Sequence, residues 1–423
     1  MLSKKGYPAS TRSQPRPPLL TAYHQQQQNM FILSLILIAY LGVSTLAAPT
    51  TRPTSSASCQ TFYANIYAEA TNLDLASCYG GQPPASSQVW IQSQVDQMRA
   101  GSTWADEFAA LPKINVSGTY QLYFEYCVPR SGKPKAVFLG IPGLMCGSEY
   151  WNLDVNGNTK YSFAESAAAA GYATLSYDRL GNRHSAHPDG LNVVQSSYEI
   201  AQAAAITAAL RNGTLHNLGK FDKIIGLGHS YGSVVTSGVP SIAPLAYDAI
   251  VLTGFSGNVT AGPLGGPGIN ANLANVVDKS RFGTLSNAYL ISSSIYNDQI
   301  EFMHYPNCTD STLNYFNSIK TEFSMGTLFT VYEPYSLSRS DYTHPVLVIT
   351  GNMDAAFCDG NCQITSLQSG QTQLDTARDL FPAVPTADFE TITIPDTAHG
   401  INFHESAPSA YQDILTFVKN KVA

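Results

Sequence analysis

The chain has 423 residues, with 23 Lys and Arg against 30 Asp and Glu and a formal net charge of −7. Only 13% of the residues are charged, about half the usual share. No basic cluster is present, which excludes nucleic acid as a partner, and a mildly acidic, neutral-rich surface suits uncharged small molecules.

Residues 1–29 are polar and basic and end in Gln25-Gln26-Gln27-Gln28, a composition that forms no folding unit. Met30–Val43 is apolar but short for a bilayer span, and the small residues Ser44-Thr45-Leu46-Ala47-Ala48 follow it. Residues 1–48 therefore read as a polar leader and secretory signal cleaved near Ala47 or Ala48, with Met30 as an alternative start. The expected mature protein is extracellular and makes no stable membrane contact; the alternative is a signal anchor in the secretory pathway.

Residues 49–112 read as a leader to the core, with a helical stretch from about Ser87 to Leu111 whose apolar positions are Trp90, Val95, Met98 and Trp104. Strands are expected at Tyr120–Cys127, Ala136–Leu139, Thr174–Tyr177, Lys223–Leu227, Ala249–Gly254, Val346–Thr350 and Glu390–Ile394. The alanine-rich segment Val194–Leu210 reads as a helix between two of them, and Glu405–Val422 as the last helix. Strands alternating with helices predict a mostly parallel central sheet with helices on both faces. The rhythm breaks between Phe255 and Tyr342. The core is thus expected at 113–255 and 343–423, with residues 256–342 inserted as a cap before the strand Val346–Thr350. That cap is rich in aromatics, among them Phe302, Phe316, Phe323, Tyr332 and Tyr335, which imply a pocket with apolar walls. The Gly-Pro stretch Gly262–Gly268 reads as a hinge or rim loop.

Lys223–Leu227 runs directly into Gly228-His229-Ser230-Tyr231-Gly232. A strand entering Gly-x-Ser-x-Gly is the sequence form of a tight strand-to-helix turn that exposes a serine hydroxyl. Such a serine needs a base and an acid that orients it, in the order serine, acid, histidine along the chain. Asp354 lies just past the strand Val346–Thr350, and His399 lies in the loop after Glu390–Ile394. Ser230, Asp354 and His399 are the expected triad. Asp359 and Asp396 are rival acids, and His404 is the rival base. Two backbone N–H groups should hold the developing oxyanion: Tyr231, next after the serine, and Leu144, in the loop after Ala136–Leu139.

Seven cysteines and four Asn-x-Ser/Thr triplets, at Asn115, Asn212, Asn258 and Asn307, fit an oxidising, secretory route. A bridge between Cys358 and Cys362 would pin the acid loop. Cys59 with Cys78 and Cys127 with Cys146 are plausible pairs, and Cys308 is the expected odd one. No metal or organic cofactor is expected; His184 and His187 read as a solvated loop, and the cysteines lack the second half of a zinc site.

Taken together, Gly143 with Tyr150-Trp151, Tyr177-Asp178-Arg179-Leu180-Gly181, Gly228–Ser233, Leu252-Thr253-Gly254-Phe255, Phe357–Cys362 and His399-Gly400 resemble the secreted fungal branch of the α/β-hydrolase family. The likeness runs from about Ile114 to Val422. It implies an α/β-hydrolase fold and a serine hydrolase, foremost a carboxylic ester hydrolase acting on an apolar or aromatic ester. The alternatives are a lactonase, a peptidase, a carbon–carbon hydrolase tailoring a secondary metabolite, or a binding protein without catalysis. Asp178 and Arg179 are structural in this resemblance. Pro142 stands where the family carries histidine. Epoxide hydrolases and haloalkane dehalogenases of this fold carry aspartate in place of Ser230.

Overall fold

The computed structural model describes residues 55–257, 266–365 and 370–422. The expected signal segment, Asn258 and the Gly-Pro stretch up to Gly265 lie outside them.

Two long strands, β1 (Ala57–Leu73) and β2 (Lys113–Pro129), precede β3 (Val137–Ile141), β4 (Ala173–Tyr177), β5 (Ile224–His229) and β6 (Ala249–Thr253). The short strands β7 (Ala271–Leu273), β8 (Tyr289–Ser292) and β9 (Phe323–Ser324) follow, then β10 (Val346–Gly351) and β11 (Phe389–Ile394). Eight of these form one sheet in the order β1-β2-β4-β3-β5-β6-β10-β11. From β4 to β11 every pairing is parallel, and β2 joins β4 antiparallel. β3, β4, β5, β6 and β10 are buried at every position, which is why their sequences are continuous apolar or small-residue runs.

The helices are α1 (Ser87–Met98), α2 (Trp104–Ala109), α3 (Phe163–Ala169), α4 (Ser196–Asn212) and α5 (Tyr231–Gly238), followed by those of the insertion, Ala355–Cys358 and the final helix Ala407–Lys421. α3 packs with the final helix and α4 packs with α5, so both faces of the sheet are covered.

The expected leader is corrected. Ala57–Leu73 is an edge strand of the main sheet, paired with β2 at every one of its 17 positions. Phe62, Ile66 and Ala68 are buried, while Tyr63, Asn65, Tyr67 and Glu69 face outward. This period-two alternation marks a half-buried strand. The single helix expected over Ser87–Leu111 is two, α1 and α2, separated at Gly101 with φ 78°. Trp90 is buried, but Val95 and Met98 are exposed. Trp90, Trp104 and Phe108 all meet Phe329 of the insertion, and Trp90 Nε1 donates to Ala271 O at 2.8 Å. These first helices therefore cover the insertion instead of leading into the core.

The insertion lies between β6 and β10, before the strand that ends at the acid. It holds the three-stranded sheet β7-β8-β9 and the helices Ile295–Phe302, Asp310–Ile319 and Met325–Thr330. Inside it Lys320 Nζ meets Asp298 Oδ2 at 2.8 Å, both groups being buried. Among the described residues no helix is long and apolar enough to cross a membrane.

Cys358 and Cys362 are bridged. The other bridge is Cys59–Cys127, which corrects both remaining pairings, because these two residues lie directly opposite each other in the β1–β2 register. Cys78, Cys146 and Cys308 are free thiols.

Candidate active site

β5 ends at His229 and α5 starts at Tyr231, which leaves Ser230 alone in the turn with φ 56° and ψ −124°. A positive φ is strained for any residue with a side chain, and such strain gathers at functional sites. The turn is possible only because its flanks are glycine. A Cβ on Gly228 would run into Ser233 Cα, and one on Gly232 into the Ile141 carbonyl. The Ser230 N–H donates to Thr253 O at 2.9 Å, tying the turn to the end of β6. The serine is only 7% exposed.

Asp354 follows β10 and caps the short helix Ala355–Cys358, accepting the Phe357 N–H at 3.0 Å through Oδ1. Its Oδ2 accepts the Thr350 hydroxyl at 2.6 Å and His399 Nδ1 at 2.9 Å. Full burial alone would push this carboxyl up, but His399 and the other two donors outweigh it and hold it below its ordinary range. His399 is also buried, between the rings of Phe302 at 5.5 Å and Phe357 at 5.6 Å. The acid and histidine loops support each other directly, since Met353 N–H donates to Thr397 O at 2.9 Å. The insertion holds the histidine loop as well, through Gly400 N–H to Phe302 O at 2.8 Å.

His399 Nε2 is buried and has no hydrogen-bond partner among the described residues, Ser230 Oγ included. The structure thus brings Asp354 and His399 into contact and sets Ser230 close by without that last bond. Both Ser230 and His399 pack around Thr253-Gly254: a Cβ on Gly254 would lie 2.9 Å from His399 Cε1. Hydrogen bonds to a nucleophile are often long in a free enzyme and tighten only with substrate bound.

The rivals are placed elsewhere. Asp359 and Asp396 are exposed. His404 is buried, and its Nε2 accepts the N–H groups of His304 at 2.9 Å and Ala398 at 3.2 Å. Burial lowers its pKa to about 4, so it is a neutral brace of the histidine loop.

The loop bearing Leu144 lies against the serine, since a Cβ on Gly143 would sit 2.7 Å from Ser230 Cβ. Among the described residues neither the Leu144 N–H nor the Tyr231 N–H donates to a turn or loop carbonyl.

Three groups at the site were not foreseen. His229 stacks on Tyr150 at 4.2 Å and lies 4.9 Å from the His399 ring. The Thr253 hydroxyl gives its proton to Gly228 O, so it accepts from His229 Nδ1 at 3.1 Å and leaves Nε2 bare. Burial, then His399, holds His229 well below the ordinary histidine range, so it stays neutral. Glu301, beside Phe302, is buried, and its Oε2 has no partner among the described residues; burial, then Asp354, raises its carboxyl well above the usual range. Arg179, paired with Glu199, reaches the loop under Leu144. Only its place in Tyr177–Gly181 hinted at this.

His184 and His187 do not converge. His184 Nδ1 meets Asp178 Oδ2 at 3.0 Å and His187 Nε2 meets Glu322 Oε1 at 2.5 Å. The group with metal-ligand spacing among the described residues, Cys59, Glu125 and Cys127, has both sulfurs committed to the disulfide.

A family model described as the alpha/beta hydrolase family matches residues 136–413, more than half of the chain. The chain belongs to the α/β-hydrolase family. Its fold is the α/β-hydrolase fold, and hydrolase chemistry comes with it. No curated protein matches the chain in sequence. Solved structures similar to it include a thermophilic esterase from Thermogutta terrifontis, at 14% identity over 72% of this chain and 94% of that one, with a TM-score of 0.48. A monoacylglycerol lipase from Paleococcus ferrophilus is 15% identical over 71% and 99%, with a TM-score of 0.48. Epoxide hydrolase A from Mycobacterium thermoresistibile is 13% identical over 71% and 95%, with a TM-score of 0.45.

Proposed function

We propose that this α/β-hydrolase is a serine hydrolase that cleaves carboxylic esters through an acyl-enzyme. The observation that carries the reading is the buried Asp354–His399 pair beside a serine held at φ 56°. His399 Nδ1–H donates to Asp354, which fixes Nε2 as the free base. Nε2 takes the Ser230 proton as Oγ attacks the ester carbonyl, and Asp354 stabilises the imidazolium that forms. The Leu144 and Tyr231 N–H groups receive the oxyanion, each worth about 3 kcal/mol in the transition state. The leaving alcohol departs with the proton from His399, and water repeats the sequence to free the acid. No step calls for a metal or organic cofactor.

The substrate is an apolar or aromatic ester. Phe302 and Phe357 flank the base, with Phe316 packed on Phe302 at 4.8 Å and Phe255 on Phe357 at 5.6 Å. An anionic acyl or alcohol group would lose its hydration there with the Glu301 and Asp354 carboxyls nearby.

The protein acts after secretion, as in the fungal branch it resembles. Two disulfides and the exposed acceptors Asn115 and Asn212 support that route. Asn307 does not, because its Nδ2 donates to Asp396 O at 2.9 Å. The test is turnover of nitrophenyl esters of increasing chain length by the wild type and by Ser230→Ala. Turnover that peaks at one chain length and is lost in the variant supports the reading. Equal turnover by the variant sinks it.

A further inference from the structure

Arg179 follows β4 and is completely enclosed, yet it carries a charge. Its Nη1 donates to Glu199 Oε2 at 2.9 Å and to Oε1 at 3.2 Å. Replacing a buried ion pair by well-packed apolar residues is often neutral or stabilising, so stability alone is a weak reason for keeping one. The other contacts of this pair lead to the loop and turn beside the serine and to the insertion. Arg179 Nη2 donates to Gly143 O at 3.2 Å, and its Cζ lies 4.6 Å from the centre of the Tyr231 ring. Glu199 Oε1 also accepts the Tyr231 hydroxyl at 3.1 Å and the Thr327 hydroxyl, from the insertion, at 3.0 Å.

Gly143 O and Leu144 N–H belong to one peptide group. The group is planar and trans, so the carbonyl and the N–H point in opposite directions. A donor fixed on the carbonyl therefore fixes the direction of the N–H, and by polarising the amide it makes that N–H a better donor. Tyr231 supplies the other N–H, and its side chain is held by the same cation and the same carboxylate.

We propose that Arg179, anchored by Glu199, is a positioning residue of the oxyanion hole: it braces both N–H donors from behind. It touches neither substrate nor serine and acts only through the Gly143–Leu144 peptide and the Tyr231 side chain. Burial acts to discharge the guanidinium, but Glu199 outweighs it and keeps it charged. Thr327 extends the brace to the insertion through its hydroxyl on Glu199.

The inference rests on the serine-hydrolase reading, and its test separates the two. The full chain is compared with Arg179→Lys, whose ammonium lacks the planar two-nitrogen fork that spans Glu199 and Gly143 O, and with Ser230→Ala. Removing an oxyanion donor outright costs about 100- to 1000-fold in kcat, so a misaligned one should cost about 30-fold. KM should stay within about twofold, because the interaction exists only in the transition state. Affinity for a trifluoromethyl ketone, which forms a tetrahedral oxyanion on the serine, should fall in step with kcat. A general loss of packing would not produce that parallel. Thr327→Val and Tyr231→Phe keep the ion pair and each remove one hydroxyl from Glu199. They decide the matter if Arg179→Lys fails to fold, and each should lower kcat and ketone affinity together by severalfold. The inference is overturned if the folded variants keep kcat within about twofold, or if KM rises while ketone affinity holds. If Ser230→Ala stays active, the serine reading itself has failed. If it is dead while the others are normal, only the brace is wrong.

Discussion

Asp354→Asn tests the acid in isolation, because the amide fills the same space. In the wild type Oδ2 receives two donors, His399 Nδ1 and the Thr350 hydroxyl, while Oδ1 receives the Phe357 N–H. The amide has one acceptor oxygen. With its oxygen facing His399 and Thr350, it keeps both bonds but sets its NH2 against the Phe357 N–H, at about 1–3 kcal/mol of stability. Flipped, its oxygen accepts the Phe357 N–H and its NH2 donates to the Thr350 hydroxyl and to His399 Nδ1, which satisfies every group but moves the imidazole proton to Nε2 and removes the base. Catalysis loses more. The imidazolium formed in the transition state no longer has a carboxylate beside it, in a site where Asp354 and His399 are both buried. A loss of about 10⁴-fold in kcat is expected, close to 5 kcal/mol. The assay is kcat on a nitrophenyl ester that the wild type turns over, with a melting curve to show that the variant is folded. Retention of more than about a tenth of wild-type kcat would refute the reasoning, as would a greater loss from Asp359→Asn or Asp396→Asn.

Other outcomes are equally specific. Glu301 has a raised folded-state pKa, so its contribution is fully present below the unfolded carboxylate value and is lost as pH rises through the folded one. Glu301→Gln should therefore be more stable than the wild type at neutral pH and above, with the gain shrinking toward pH 4 in denaturant titrations. Chain entropy scales with the loop a disulfide closes, and the separations are 68 residues for Cys59–Cys127 and 4 for Cys358–Cys362. Replacing both cysteines by serine should cost about 4 kcal/mol for the first pair and about 2 kcal/mol for the second, read from urea unfolding. Gly232→Ala should yield no active protein, since its Cβ would meet the Ile141 and Pro142 carbonyls; normal kcat would contradict the close packing of the turn.

The parallel core was legible because β3, β4, β5, β6 and β10 are buried at every position and read as continuous apolar or small-residue runs. Half-buried β11 alternates instead, and serine, aspartate and histidine follow the ends of β5, β10 and β11. β1 was not, because its outward positions, Tyr63 and Tyr67 among them, are themselves aromatic and blur the alternation. Missing it also misled the cysteine pairing, since Cys59 meets Cys127 only through the β1–β2 register. Order along the chain marked Ser230, Asp354 and His399 as candidates. The supporting groups leave no comparable trace. Arg179 meets Gly143 across 36 positions and Glu199 across 20, and such contacts exist only once the sheet and α4 are assembled. His229 is in the motif, but its neutrality follows from burial against Tyr150 and a proton count at Thr253.

The central claim is that Ser230 is an activated nucleophile. The most direct measurement is reaction of the folded protein with a fluorophosphonate probe, followed by peptide mapping of the adduct. The account predicts one adduct, on Ser230, formed far more slowly in His399→Ala and absent from Ser230→Ala. A folded wild-type protein that does not react, or that reacts at another residue, would contradict it.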